Sequence, residues 1–189
     1  MRRYTPVEIQ AFLIAIDQNL TEPAEIIVIG GTAAALVYAH SGATQDIDTH
    51  NSISSIEAAL KSARLQTGYN IPVNPAAIHD APWNWEERLV HYKRDLFKYL
   101  SVKAPEAIDL ILMKVMRAEA HDLAAIKAIV QSQSIHAMAI HDRFKSEMDH
   151  VIKDPAALKL NYLSMIDLCF GSELASELDR DLDLNKSKC

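Results

Sequence analysis

Only five glycines occur in this chain of 189 residues, and two of them, Gly30 and Gly31, stand together at the end of the run Glu25-Ile26-Ile27-Val28-Ile29. β-Branched side chains lose little freedom in an extended backbone and pack well on a pleated surface. The run therefore predicts a short buried strand, and the paired glycines predict its abrupt end. Thr32 to His40 is alanine-rich and reads as a helix stopped by Ser41-Gly42. Thr44 to Thr49 then alternates with a two-residue period, the pattern of a half-buried second strand. Strand, glycine turn, helix, strand is the frame into which the rest of the chain has to fit.

Ahead of that frame, Thr5-Pro6-Val7-Glu8 has the form of a capping box with proline at the first helical position. Apolar Ile9, Phe12, Leu13 and Ile16 follow at helical spacing and predict a helix from Pro6 to Asn19. After the frame, Ser54 to Arg64 reads as a helix ended by Gly68. Tyr69 to Glu87, with Pro72, Pro75, Pro82 and two tryptophans, reads as a long ordered loop. Arg88 to Tyr92 and Tyr99 to Lys103 resemble two more short strands. From Pro105 the texture changes: Ile108, Leu112, Val115, Met116, Leu123, Ile126 and Ile129 recur at three- and four-residue steps. Further helices are predicted over Ser134–Ile152 and from Asp154-Pro155 to Gly171, with a polar, fraying end from Asp179. The expected fold is α+β: a small mixed-sheet domain over residues 1–104, and a helical C-terminal region over 105–189 packed on it.

Composition narrows the class. With 49% hydrophobic and 23% charged residues the chain lies outside the disordered range. A net charge of -6 gives no overall attraction to nucleic acid or to an anionic membrane, so a polyanion would have to meet a local patch such as Lys93-Arg94 or Lys98 with Lys103. Two cysteines, Cys169 and Cys189, form no disulfide framework and no zinc spacing. The longest apolar stretch, Ile26 to Ala39, is too short to cross a bilayer, and the N-terminus has no apolar signal core. A cytoplasmic protein is expected.

Chemistry concentrates at two places. A glycine turn that opens a helix exposes backbone N–H groups at the positive end of the helix dipole, which suits a phosphate. The third glycine of GxGxxG and the lysine of a P-loop are both missing, so the turn alone is weak evidence. Asp46 and Asp48, two apart on a strand, project from one face while Ile47 enters the core. Two such carboxylates repel unless a cation lies between them, and Mg²⁺ held by carboxylates and substrate phosphates is a common solution. The same spacing recurs in the tail at Asp179, Asp181 and Asp183. What distinguishes Asp46 and Asp48 is their place after the strand, the turn and one helix.

Ile29-Gly30-Gly31, a helix, then Asp46-Ile47-Asp48 resembles the signature of the nucleotidyltransferase superfamily of the DNA polymerase β type. Asp80-Ala81-Pro82-Trp83-Asn84-Trp85-Glu86-Glu87-Arg88 is similar to a stretch of the bacterial nucleotidyltransferase-like proteins of the DUF6036 group. Pro105-Glu106 through Asp109-Leu110, Lys114, Arg117 and Asp122 resembles the helical segment of those proteins and of AbiEii-type toxins of type IV toxin–antitoxin systems. The resemblance spans roughly residues 20 to 130. It implies that Gly30, Gly31 and Thr32 bind the phosphates of a nucleoside triphosphate. It implies that Asp46 and Asp48 bind Mg²⁺ or Mn²⁺, with Lys114 as a further catalytic residue and Arg117 as a phosphate contact. The acceptor implied is RNA, such as tRNA, or protein, and the partner implied is a cognate antitoxin. A catalytically degenerate relative serving as the partner-binding half of such a pair is the alternative.

The superfamily commonly adds a third carboxylate from a later strand. None lies within Arg88–Tyr92 or Tyr99–Lys103, which leaves Asp80, Glu86, Glu87 and Asp95 as substitutes. Lys114, Arg117 and His121 fall at i, i+3 and i+7 and would share one face of a continuous helix, either as ligand contacts or as a solvated basic stripe. Asp122, one position round from His121, is placed to orient Arg117 or to cap the preceding turn. Trp83 and Trp85 are expected to pin their loop rather than to stack on a base. Arg143 and His150 fit the loose Arg-x(4–6)-His pattern of helical ribonucleases, but a match this loose is expected by chance in a chain of this composition.

Overall fold

The computed structural model describes residues 2–38, 40–78 and 80–186. Two compact units are present, one of Met1–Ile78 and Glu86–Glu106, the other of His79–Trp85 and Ala107–Cys189. The expected α+β class holds: a small mixed sheet is surrounded by helices in the first unit, and the second is helical.

In the first unit, α1 (Pro6–Gln18) starts at the capping box. Thr5 Oγ1 accepts from Glu8 N at 3.3 Å, and Glu8 Oε2 accepts from Thr5 N at 2.8 Å. Ile9, Phe12, Leu13 and Ile16 are fully buried, each worth about 1.5–3 kcal/mol of transfer free energy. Their helix packs chiefly on α3 (Glu57–Thr67), which follows a 3₁₀ turn at Ser54–Ile56 and ends at Gly68 in the left-handed conformation, φ 70°. Between them lie β1 (Ala24–Ile27), α2 (Gly30–Val37) and β2 (Ile47–Thr49).

β1 pairs in parallel with β5 (Leu100–Ala104), and β4 (Val90–His91) pairs antiparallel with β5. On the other flank, the end of β1 meets β2 through an antiparallel bridge between Val28 and Thr49. β2 in turn pairs in parallel with β3 (Val73–Pro75). That last strand lies inside the stretch expected to be loop. Prolines are tolerated there because β3 uses only alternate backbone groups: Ile47 N donates to Pro72 O, and Ala76 N to Thr49 O, both at 2.8 Å. Pro75 therefore lacks its N–H on the outward side.

Asp17, near the end of α1, fixes where β5 begins. Its buried carboxylate accepts from the backbone N–H groups of Lys98, Tyr99 and Leu100 at 2.7–3.0 Å. Burial works to raise its pKa, but the three backbone donors together outweigh burial and hold it below the usual carboxylate value.

The second unit contains α4 (Ala107–Val115), α5 (Ala120–Ser132), α6 (Ala137–Glu147), α7 (Pro155–Phe170) and α8 (Ser172–Lys186). The third of the expected C-terminal helices, Ser134–Ile152, is shorter than expected: Ser134 has φ 51°, outside the helical range, and the helix runs only over Ala137–Glu147. The end does not fray at Asp179: α8 runs on through it. Leu178 is buried, Lys159 pairs with Asp179 at 2.6 Å, and His141 Nε2 and Lys145 reach Asp181 at 2.8 and 2.6 Å. These contacts hold a polar helix that its own sequence would leave marginal. Trp83 pins its segment as expected, with Nε1 donating to Asp149 Oδ1 at 3.0 Å and its ring tilted 32° against that of His150, centroids 3.8 Å apart. Cys169 is half-buried, and burial raises its thiol pKa; Cys189 lies outside the described residues.

Because the folded pKa of Asp17 is depressed, its stabilisation is present above the unfolded value of about 4 and is lost as pH falls through the folded value. Asp17→Asn is expected to lower unfolding free energy by about 1.5–3 kcal/mol at pH 7. In urea titrations the gap from the native protein should close as the pH is taken below about 4.

Candidate functional site

Backbone pairing places the acids beside the glycine turn. Ile29 N donates to Asp48 O at 3.0 Å, and His50 N donates to Ile27 O at 2.8 Å, so the last residues of the β1 segment and the β2 segment run antiparallel. The residue after Ile29 is Gly30, with φ +60°. A Cβ built on Gly30 would lie 3.6 Å from Asp48 Oδ2, and one on Gly31 would lie 3.4 Å from Thr44 Oγ1. The bare glycine thus lets the main chain turn left-handed directly against a carboxylate.

Asp46 and Asp48 share a face. Asn74 is the register partner of Asp48 across the parallel β2–β3 pair, so its side chain leaves the sheet on the same side. Its Nδ2 donates to Asp46 Oδ2 at 3.3 Å. Ile47, between the two acids, is fully buried on the opposite face.

The helix start is anchored from below. Thr32 is fully buried, and its hydroxyl donates to Asp46 O at 2.9 Å, as does that of Thr44 at 3.2 Å. The Thr32 side chain therefore locks α2 to the backbone preceding β2, and what it offers a phosphate is its backbone N–H. Ile29, the N-cap of α2, gives no side-chain cap, so backbone donors at Gly30, Gly31 and Thr32 mark the positive end of the helix. Asn51 completes the other side of β1: Oδ1 accepts from Ile27 N at 2.8 Å, and Nδ2 donates to Glu25 O at 2.6 Å, as a further strand would.

The donor set fits a hard cation that brings its own oxygens. Among the described residues no three His, Cys, Asp or Glu side chains converge on one point. Two carboxylates on one face, with a glycine leaving Asp48 uncovered by any Cβ, match the way Mg²⁺ is held by one or two carboxylates with substrate phosphates and water completing its shell.

Lys114 and Arg117 belong to the second unit, and there they serve a buried charge. Asp122, fully buried, accepts from Lys114 Nζ at 3.0 Å and from Arg117 Nε and Nη2 at 3.1 and 3.0 Å. Burial raises the Asp122 pKa, and the two cations more than offset it, holding the carboxyl below its usual range. Lys114 is itself only 3% exposed, whereas the Arg117 side chain is well exposed. The expected shared helix face does not form: α4 stops at Val115, Ala118 has φ 51°, and α5 begins at Ala120, so Lys114, Arg117 and His121 flank a turn. The Arg143–His150 pattern is likewise broken. Arg143 Nη1 pairs with buried Asp109 at 3.1 Å, and α6 ends before His150.

Of the four substitute carboxylates, Asp80 accepts from Ile152 N at 3.2 Å within the second unit, and Asp95 sits in a 3₁₀ turn, Arg94–Leu96. Glu86 Oε1 lies 2.9 Å from Nε2 of His50, just beyond β2. Asn74 and Asn51 were not marked as candidates by the sequence. The flanking prolines hid β3, and Asn51 acts through main-chain mimicry that no spacing rule reveals.

These features are those of a nucleotidyltransferase fold. A family model described as "Nucleotidyltransferase of unknown function (DUF6036)" matches residues 7–169, and the chain belongs to that family. No curated protein and no solved structure matches it. No helix among the described residues is long and apolar enough to cross a membrane.

Gly30→Ala is expected to cost about 1–2 kcal/mol from left-handed strain, while Gly31→Ala, whose new methyl meets only ordinary contact, is expected not to lower the melting temperature. Asp122→Ala should cost about 3–5 kcal/mol by stranding a buried ammonium. Urea unfolding of the Gly30 and Asp122 variants measures the two losses, and thermal melting checks the Gly31 variant.

Proposed function

We propose that the protein transfers a nucleoside monophosphate from a nucleoside triphosphate to an RNA, such as tRNA, or to a protein, acting in the cytoplasm as the toxin of a type IV toxin–antitoxin pair. The observation that carries this reading is the pairing of the glycine turn with the acid strand: Ile29 N donates to Asp48 O at 3.0 Å, and a Cβ on Gly30 would lie 3.6 Å from Asp48 Oδ2. Family membership supports the reaction class.

In this reading the N–H groups of Gly30, Gly31 and Thr32 hold the triphosphate at the helix N-terminus. Asp46 and Asp48 hold Mg²⁺ or Mn²⁺, and Asn74 orients Asp46. When bound, the metal neutralises charge on the entering and departing oxygens of an in-line displacement. Lys114 and Arg117 act through the fold of the second unit by neutralising Asp122, and Arg117, being exposed, retains access to an anionic ligand.

Each nucleoside triphosphate with Mg²⁺, at about tenfold over its dissociation constant, should stabilise the native chain by about 1.4 kcal/mol, a rise of roughly 3–6 °C for a chain this size. The Asp46→Ala, Asp48→Ala double variant should lose that rise while melting normally without ligand. Equal shifts in both proteins, or none in either, point instead to a degenerate fold that binds a partner. Transfer of labelled nucleotide to total cellular RNA and protein identifies the acceptor.

A further inference from the structure

The chain carries a net charge of -6, yet residues 93–103 hold four basic side chains, Lys93, Arg94, Lys98 and Lys103, against one acid, Asp95. Arg94, Lys98 and Asp95 collect around one groove of about 340 Å³ at the β4–β5 hairpin, whose walls also include His91, Phe97, Tyr99 and Ser101. Among the described residues Arg94 and Lys98 form no ion pair, whereas Lys103 meets Glu25 at 2.8 Å and Lys93 Nζ donates to Gln10 Oε1 at 2.7 Å. Lys98 Nζ lies 4.6 Å from the centroid of the Tyr99 ring, which occupies one face of that ring. Phe97, between the two free cations in sequence, is half-buried.

Register places this groove on the side of the sheet that carries the acids. Val28 bridges Thr49, Ile26 pairs with Val102, and all four are buried. Alternation then turns Asp46 and Asp48, Glu25 and Ile27, and Ser101 and Lys103 to the opposite face. His91, the register partner of Lys103, joins them. The groove borders the first residues of β5, and the glycine turn follows the end of β1. Because Ala24 pairs with Leu100, the run from Ala24 to Gly30 separates the two by about 20 Å along that face.

An acidic peptide would be met by the charges alone. Cations without acid partners beside an aromatic ring suit a single strand better, with phosphates on the cations and a base on the ring. A cavity of this size is near the lower limit for small-molecule sites, so it admits one nucleoside unit and no duplex.

We infer that this groove binds single-stranded RNA, with phosphates on Arg94 and Lys98 and a base against Phe97. The strand runs along the acid-bearing face, a few nucleotides from its reacting end, and serves as the acceptor in place of protein; that role rests on the transfer reaction proposed above.

Binding of a short fluorescent single-stranded RNA to the full chain is followed by anisotropy over a salt series, without nucleotide. The Arg94→Gln, Lys98→Gln double variant is expected to flatten the plot of log affinity against log salt by about 1.4, two phosphates at about 0.7 each. Phe97→Leu is expected to weaken binding about fivefold or more while keeping the native salt slope. Both variants should retain the Mg²⁺-nucleotide melting shift. The double variant should need more RNA for half-maximal transfer, at an unchanged maximal rate. A native salt slope in the double variant, native affinity in Phe97→Leu, or polyglutamate binding as tight as RNA binding overturns the groove and leaves the transfer reading intact. Labelling of protein but not of RNA overturns the acceptor role. Groove-dependent RNA binding with neither transfer nor melting shift in the native chain supports the groove and overturns the transfer reading, the acceptor role with it.

Discussion

Two backbone hydrogen bonds, Ile29 N to Asp48 O and His50 N to Ile27 O, organise the first unit. They are short-range in geometry but join segments some twenty residues apart, so they form only when α2 has folded back between them. Once made, they leave no freedom in where the acids stand relative to Gly30. The register also fixes which residues of the second strand face the core: Ile47 goes in, and its neighbours on either side come out. A slip of one residue would bury two carboxylates, which the energetics of desolvation forbid. Hydrophobic burial and site geometry therefore select the same pairing.

Buried acids elsewhere follow a different rule. Asp17 is satisfied by three main-chain donors, Asp122 by a lysine and an arginine, and Asp109 by Arg143. In each case the carboxylate ties together segments that hydrophobic contact alone would position loosely. Removing either partner leaves an uncompensated group, so these sites are sensitive to mutation without touching a ligand. This is the physical reason that Lys114 and Arg117, which share chemistry with phosphate-binding side chains, also hold the turn between α4 and α5.

Local signals were strong enough to show much of this in advance. The capping box at Thr5, the strand before Gly30, the glycine that ends α3, and the α+β class all follow from residue chemistry acting over a few positions. The acid pair was legible for the same reason, since two-residue alternation is a property of the strand itself. β3 was not, because Pro72 just before it and Pro75 at its end run against local strand preference and only pairing with β2 overrides them. The face proposed for Lys114, Arg117 and His121 failed because three- and four-residue spacing persists across a turn as readily as along a helix. Asn51 and Asn74 escaped notice because each acts through a neighbour supplied by distant chain. The extent of α8 depends on ion pairs to α6 and α7, which a polar sequence does not announce.

The prolines around β3 have one more effect. With Pro75 turned outward, the open margin of the sheet lacks one of the amide hydrogens that another extended chain would need for docking. The border next to the aspartates is thereby made a poor template for strand-by-strand association between molecules, and crowding of these chains in a cell would not by itself close over the acidic face.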